Sequence, residues 1–396
     1  MIYNDRIGAV DIAKGVILII IITLYDFYPG LLQSWFGSER IPATINVIAG
    51  FTFTAFFYFS GITIPFFITK KINQYNSVYE VIRMIFARAL ILIAVGVFLA
   101  NIPRVNPELT GVSQPLWALM LIVAIFLTWN RYPDRENNFF TVSGLRIIGL
   151  ALIVFLVFKF RSGSYENNGS FIPGCWELPG LLGWGFLVSS LLWLALRNSI
   201  AGTLIILLFF LSLNLISALG LNDYLDPARR YFGVLIDGFI PSIVLCGHLT
   251  GVALKRYPPS EYMKSALFIA GGGIIFVTAG ILTIRYFPLT GSFNNPSWAI
   301  LGAGTSSLIF IILYLIFDLR RYRWRPVIIE SAGSSFFTVY MIYFLISSMI
   351  SLSGINLLIY KTSSLLLIKT GGSLTFSFVI VLTGNFLLRS GIRLKF

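Results

Sequence analysis

Val16-Ile17-Leu18-Ile19-Ile20-Ile21-Ile22-Thr23-Leu24 is a run of aliphatic side chains broken by a single hydroxyl. It lies inside a longer apolar segment, 7–28, whose charged members are Asp11, Lys14 and Asp26. A helix that crosses a bilayer needs about 20 mostly apolar residues, and this segment has that length. The polar start Met1 to Arg6 followed by an apolar run imitates a signal peptide. However, Tyr25-Asp26-Phe27-Tyr28-Pro29 offers no small-residue cleavage site, so the segment reads as a retained first span.

Working outward, comparable runs occupy 44–69, 79–101, 112–129, 142–160, 178–197, 200–219, 232–254, 264–286, 296–317, 329–350 and 373–390. The expected fold is all-α: a polytopic transmembrane helix bundle of about 12 spans, formed by a single domain over residues 1–396. The stretch 351–372 is expected to lie along the outer interface as a short amphipathic helix. Composition agrees. Of 396 residues 57% are hydrophobic and 11% charged, against about 25% charged in soluble domains, whose surfaces must be hydrated. Lipid must therefore solvate much of this chain, and its partner is a bilayer, here expected to be the inner (cytoplasmic) membrane.

Charge placement gives the topology. With the N-terminus inside, 20 of the 29 Lys and Arg residues fall in cytoplasmic segments, including Lys70, Lys71, Arg131, Arg393 and Lys395. That is the positive-inside pattern, and it puts both termini in the cytoplasm. The net charge of +13 is scattered between apolar runs rather than gathered in a stripe, which argues against nucleic acid as a partner. Cys175 and Cys246 form neither a disulfide framework nor a metal-ligand spacing, and one histidine, His248, makes no metal site.

Ionisable groups inside a span cost several kcal/mol unless paired or hydrated, so each is a candidate for function. Asp11 and Lys14 share a helix face and can pair. Lys14, Arg83 and Arg88 could instead form a cytoplasmic pocket for an anionic, phosphorylated donor. On the outer side Asp26, Glu39, Glu177 and Asp237, with Trp176, Trp298, Asn294 and Asn295, could hold a sugar-like acceptor, and Asp26 or Glu39 could take its proton. Each of these also reads as an ordinary interface residue, and His248 reads either as a proton relay or as a packing residue beside Gly247 and Gly251.

Several motifs carry a resemblance. Arg6-Ile7-Gly8-Ala9-Val10-Asp11-Ile12-Ala13-Lys14-Gly15 resembles the R-x-x-(S/A)-(L/V)-D-x-x-R-G opening of the heparan-α-glucosaminide N-acetyltransferase family. Phe56-Phe57-Tyr58-Phe59-Ser60-Gly61-Ile62-Thr63-Ile64-Pro65-Phe66, Arg88-Ala89-Leu90-Ile91-Leu92 with Gly96, and Gly111-Val112-Ser113-Gln114 are similar to further family segments in the same order. So are Phe287-Pro288-Leu289 through Trp298, and Gly333 to Tyr340. The resemblance implies transfer of an acyl group from cytoplasmic acetyl-CoA, or another acyl-CoA, to a glycan or lipid-linked sugar on the far side, without a metal. It leaves room for a homo-oligomer. The chain departs from the family at chemical positions. Segment 29–43 lacks the family's histidine, Tyr25 stands for an Asn, Gly291 for a Lys, Ser335 for an Asn, and Lys14 for an Arg. A transporter or flippase, or a non-catalytic membrane subunit, on the same scaffold remains the alternative reading.

Overall fold

The computed structural model describes residues 7–29, 31, 42–75, 77–132, 139–163, 168–174, 176–257, 259–289, 294–319, 325–355 and 358–395. Among them the helices of eight or more residues are α1 (Gly8–Phe27), α2 (Ala43–Gln74), α3 (Val78–Asn101), α4 (Gln114–Trp129), α5 (Phe139–Lys159), α6 (Leu178–Leu196) and α7 (Ile200–Ala218). They continue with α8 (Asp226–Asp237), α9 (Phe239–Arg256), α10 (Tyr262–Ile284), α11 (Pro296–Tyr314), α12 (Val327–Ser334), α13 (Phe336–Ser353) and α14 (Leu366–Arg389). Among the described residues, eleven helical segments are long and apolar enough to cross a membrane, and α4, of 16 residues, is a shorter apolar twelfth. The all-α polytopic bundle expected from the sequence is what the chain forms.

Local chemistry sets the helix ends. The Ser77 hydroxyl accepts from the Glu80 amide at 3.2 Å, and Asn295 accepts from the Trp298 amide at 3.0 Å, so each satisfies an otherwise orphaned donor. Asp318, in a π turn after α11, caps α1 from a distance: its two oxygens accept from the Gly8 and Ala9 amides at 2.9 Å each. A carboxylate there complements the positive end of the helix dipole. Two spans are broken. Gly238, at φ +66°, separates α8 from α9, and Ser335 separates α12 from α13.

Burial sorts the helices into layers. α1, α2 and α9 are central, and glycines let their backbones touch: a Cβ on Gly247 would lie 1.9 Å from the Tyr58 carbonyl, and one on Gly61 2.1 Å from the Val244 carbonyl. Without water in the bilayer core, such close small-residue contacts carry much of helix association. α5, α7, α10 and α14 lie outside, presenting Phe158, Ile205, Phe209, Ile275, Leu282 and Phe386 to the surroundings. An apolar surface of that extent is compatible with lipid.

Residues 351–372 differ from the expected interfacial amphipathic helix. Among its described residues a 3₁₀ turn forms at Ile359–Thr362, and α14 begins at Leu366 rather than 373. Tyr360 and Lys361 of that turn contact Asp26, as described below.

Candidate functional site

One end of the bundle opens into a cavity of about 600 Å³, within the usual size of a small-molecule site. Its wall is built from segments far apart in sequence. α1 contributes Asp11 and Lys14, α2 contributes Lys70 and Lys71, α3 contributes Arg88, the α4–α5 loop Arg131, and the C-terminal tail Arg393 and Lys395. Among the described residues that line it, one carboxylate thus faces seven cationic side chains. These are stretches that the charge pattern assigned to a common, cytoplasmic side, and they do meet at a common end.

The two embedded cations are the informative ones. Lys14 and Arg88 are half-buried, and neither has a carboxylate within ion-pairing distance among the described residues. Asp11 acts on Lys14 electrostatically, but the two are not within ion-pairing distance of each other. Arg88 lies over the Phe67 ring at 4.4 Å and the Phe186 ring at 5.3 Å. These contacts fix the guanidinium plane and partly offset its desolvation. Arg83 is exposed and does not line the cavity.

The tail is pinned over this end. Arg131 donates its amide to the Arg393 carbonyl at 2.8 Å, and Lys395 donates to the Trp129 carbonyl at 2.9 Å. The Asn130 side chain accepts from the Arg393 amide at 2.8 Å, and Thr338 from the Leu394 amide at 3.1 Å. The break between α12 and α13 lies in the same wall, through Gly333, Ser334 and Ser335.

The residues expected to form an outer pocket divide into separate clusters. Asp26 is 2% exposed; Tyr360 donates to its Oδ2 at 2.6 Å and Lys361 reaches its Oδ1 at 2.6 Å. Glu177 is also 2% exposed and sits at the start of α6. Tyr25 donates to its Oε1 at 2.5 Å, and Tyr340 and the Leu178 amide to its Oε2 at 2.6 and 2.5 Å. Asp237 is held by Arg229 at 3.2 Å, by Ser217 at 2.9 Å and by Asn294 at 2.8 Å. Asn295 caps α11, and Trp298 is fully buried against Gly50 and Phe51. Trp176 packs edge-on against Trp184 at 6.1 Å. Glu39 lies outside the described residues.

His248 is fully buried in α9, its Nδ1 2.6 Å from the Ser189 hydroxyl and its ring edge-on to Trp193 at 5.8 Å. Nothing in the sequence ties Tyr25, Tyr340, Tyr360 and Lys361 to the carboxylates they hold, because tyrosine is common in this chain and the partners lie 152 or more residues away. Comparison of the sequence with protein-family models gives no match, and comparison with curated proteins gives none.

Proposed function

We propose that this chain is a membrane-embedded acyltransferase that binds a phosphorylated acyl donor, acetyl-CoA or another acyl-CoA, in the cationic cavity. The acceptor is a sugar or another cell-envelope molecule on the opposite side. The observation that supports this reading most directly is the pair Lys14 and Arg88, which line the cavity with no carboxylate within ion-pairing distance among the described residues. A charge removed from water without a partner costs several kcal/mol, and a bound phosphate or diphosphate supplies the missing anion through charge-assisted hydrogen bonds. Phe56, Phe66, Phe67 and Phe186 beside these cations offer apolar surface for the rest of such a donor. That the transferred group is an acyl group rests on the motif resemblance.

As acceptor base, Asp26 would have to exchange Lys361 for the acceptor's hydroxyl or amine, since a base must reach the proton it takes. Glu39 remains the other candidate from the sequence.

The test is thermal unfolding of the purified protein with CoA. A ligand that binds the folded state alone raises stability by about 2.7 kcal/mol at 100 Kd, so unfolding should shift upward in proportion to log concentration. No shift with CoA or acetyl-CoA sinks the proposal. Removing residues 392–396 should weaken this binding by roughly tenfold, since it takes away Arg393 and Lys395, each a partly hydrated charge contact. A truncated protein that binds CoA with unchanged affinity excludes the tail from the site.

A second reading, an anion transporter or flippase, is favoured by the two broken spans, because discontinuous helices in membrane proteins frequently surround a transported solute. Uptake of an organic anion into proteoliposomes, with no CoA-dependent stabilisation, would select it.

A further inference from the structure

The segment that follows α14 is seated at the cavity wall by hydrogen bonds more than by packing. α14 closes on Gly391, at φ +88°, with the Gly391 and Ile392 amides donating to the Leu388 and Leu387 carbonyls, a left-handed helix end. A Cβ at Gly391 would meet nothing within 4 Å, so the turn stands in open space on that side. Beyond it Ile392, Arg393 and Leu394 are half-buried and Lys395 is exposed. Leu394 pairs with Asn130 in a single antiparallel bridge. The hydrogen bonds to Trp129, Asn130, Arg131 and Thr338 complete the seat. A segment with so short a ladder and so little buried apolar surface opens locally at low cost.

Charge opposes that seat. Arg88 acts electrostatically on Lys14 and on Lys71, and Lys395 acts on Lys71 in turn. Lys71 and Arg88 both lie over the Phe67 ring, at 5.9 and 4.4 Å. Lys14, Arg88, Lys71 and Lys395 thus form a row of like charges that starts within α1 and ends on the strap. Among the described lining residues the carboxylate is Asp11, and it acts on Lys14, at the far end of the row. Seating the strap therefore adds Arg393 and Lys395 to a wall that already carries Lys14, Lys70, Lys71, Arg88 and Arg131. A polyanion laid along the row turns that repulsion into attraction.

We propose that the strap 392–395 is a lid whose seating is coupled to a polyanion bound along Lys14, Arg88, Lys71 and Lys395. A ligand with several phosphate groups reaches both the embedded cations and the strap. A lone phosphate held by Lys14 and Arg88 leaves the strap's charges uncompensated. The coupling is reciprocal: the polyanion holds the strap down by the same factor by which the seated strap tightens binding. CoA, with a diphosphate and a separate phosphate, is such a ligand. Naming CoA rests on the acyl-transfer reading, whereas the coupling to a polyanion does not.

The test is hydrogen–deuterium exchange of the full chain in detergent micelles, with CoA, tripolyphosphate or orthophosphate at matched ionic strength. Thermal unfolding of the same samples reports binding. The amides of Leu394, Lys395 and Arg131 should exchange at least about tenfold more slowly with CoA or tripolyphosphate, a ratio within the usual range of coupling between sites. Orthophosphate should leave them at the ligand-free rate. Lys395→Gln keeps the backbone bond to Trp129 and removes one repelling charge. Its ligand-free strap should exchange about threefold more slowly than the wild type's at low salt, the size of a surface charge interaction. A purely structural pin predicts neither change. Thermal stabilisation by a polyanion with unchanged exchange at these amides overturns the lid and leaves the donor site standing. Equal protection by orthophosphate overturns it too, as does a Lys395→Gln strap that exchanges no more slowly than the wild type's. If tripolyphosphate stabilises and protects while CoA does neither, the lid stands and the acyl-CoA reading falls. If no polyanion binds, both fall.

Discussion

Replacing Lys14 and Arg88 together with methionine should raise the thermal stability of the ligand-free protein and abolish its stabilisation by CoA. The two effects have opposite signs for one reason. Among the described residues neither cation has a carboxylate within ion-pairing distance, and an embedded charge that lacks a close partner opposes folding, so an apolar side chain of similar length should be tolerated or preferred. Methionine keeps much of the packing that the aliphatic stems supply, including contact of residue 88 with Phe67 and Phe186. With a phosphorylated ligand bound, each cation makes a charge-assisted hydrogen bond worth roughly 1.5–3 kcal/mol. Losing both should therefore weaken CoA binding by at least about 100-fold. Raising ionic strength should weaken binding to the wild type far more than to the double variant, because screening acts on the charges that were removed. CoA stabilisation that is undiminished in the double variant would exclude these residues from the donor site.

The bundle was legible in the sequence because lipid imposes a length and a composition on every span. The expected span 7–28 became Gly8–Phe27, 178–197 became Leu178–Leu196, and 200–219 became Ile200–Ala218. The second span runs longer than 44–69, to Gln74, because Lys70 and Lys71 continue the helix along the cavity wall instead of entering a loop. The apolar runs do not predict the breaks at Gly238 and Ser335, although Asp237-Gly238 with Pro241 is a turn signal inside its run.

The site was legible in part. Lys14 and Arg88 stood out because a charge inside an apolar run is conspicuous, and both line the cavity. Lys70, Lys71, Arg131, Arg393 and Lys395 looked like scattered loop charges, because only the folded chain brings those loops to one place. Asp26 and Glu177 were picked out as acids near span ends, but their partners were not, as hydrogen bonds from Tyr25, Tyr340 and Tyr360 have no local signature. Tyr25 stands where the motif resemblance expects an Asn. In the folded chain the Tyr25 hydroxyl donates to the buried Glu177 carboxylate.

Gly333→Ala should be among the most damaging single methyl groups in the protein, and its effect should reach the cavity. A Cβ at Gly333 would stand 1.8 Å from the Asp11 carbonyl oxygen and 2.6 Å from the Gly15 amide nitrogen. Across the same crossing, a Cβ at Gly15 would stand 2.1 Å from the Ile329 carbonyl. Both obstacles are backbone, so no rotamer relieves them, and α1 and α12 must move apart. Asp11 and Lys14 flank this contact, and Gly333 itself lines the cavity beside the helix break. Separation of the helices would displace Lys14 from Arg88 as well as forfeit packing. A cost of at least about 3 kcal/mol is expected for overpacking against rigid atoms, seen as a lower unfolding temperature, with weaker CoA stabilisation in whatever protein remains folded. The control is Gly272→Ala in α10, where a new Cβ meets nothing within 4 Å. There the gain in helix propensity, roughly 0.5–1 kcal/mol, is unopposed, and stability should hold or rise. If Gly333→Ala unfolds at the wild-type temperature and binds CoA normally, α1 and α12 are not in backbone contact, and the placement of Lys14 in the cavity wall loses its support.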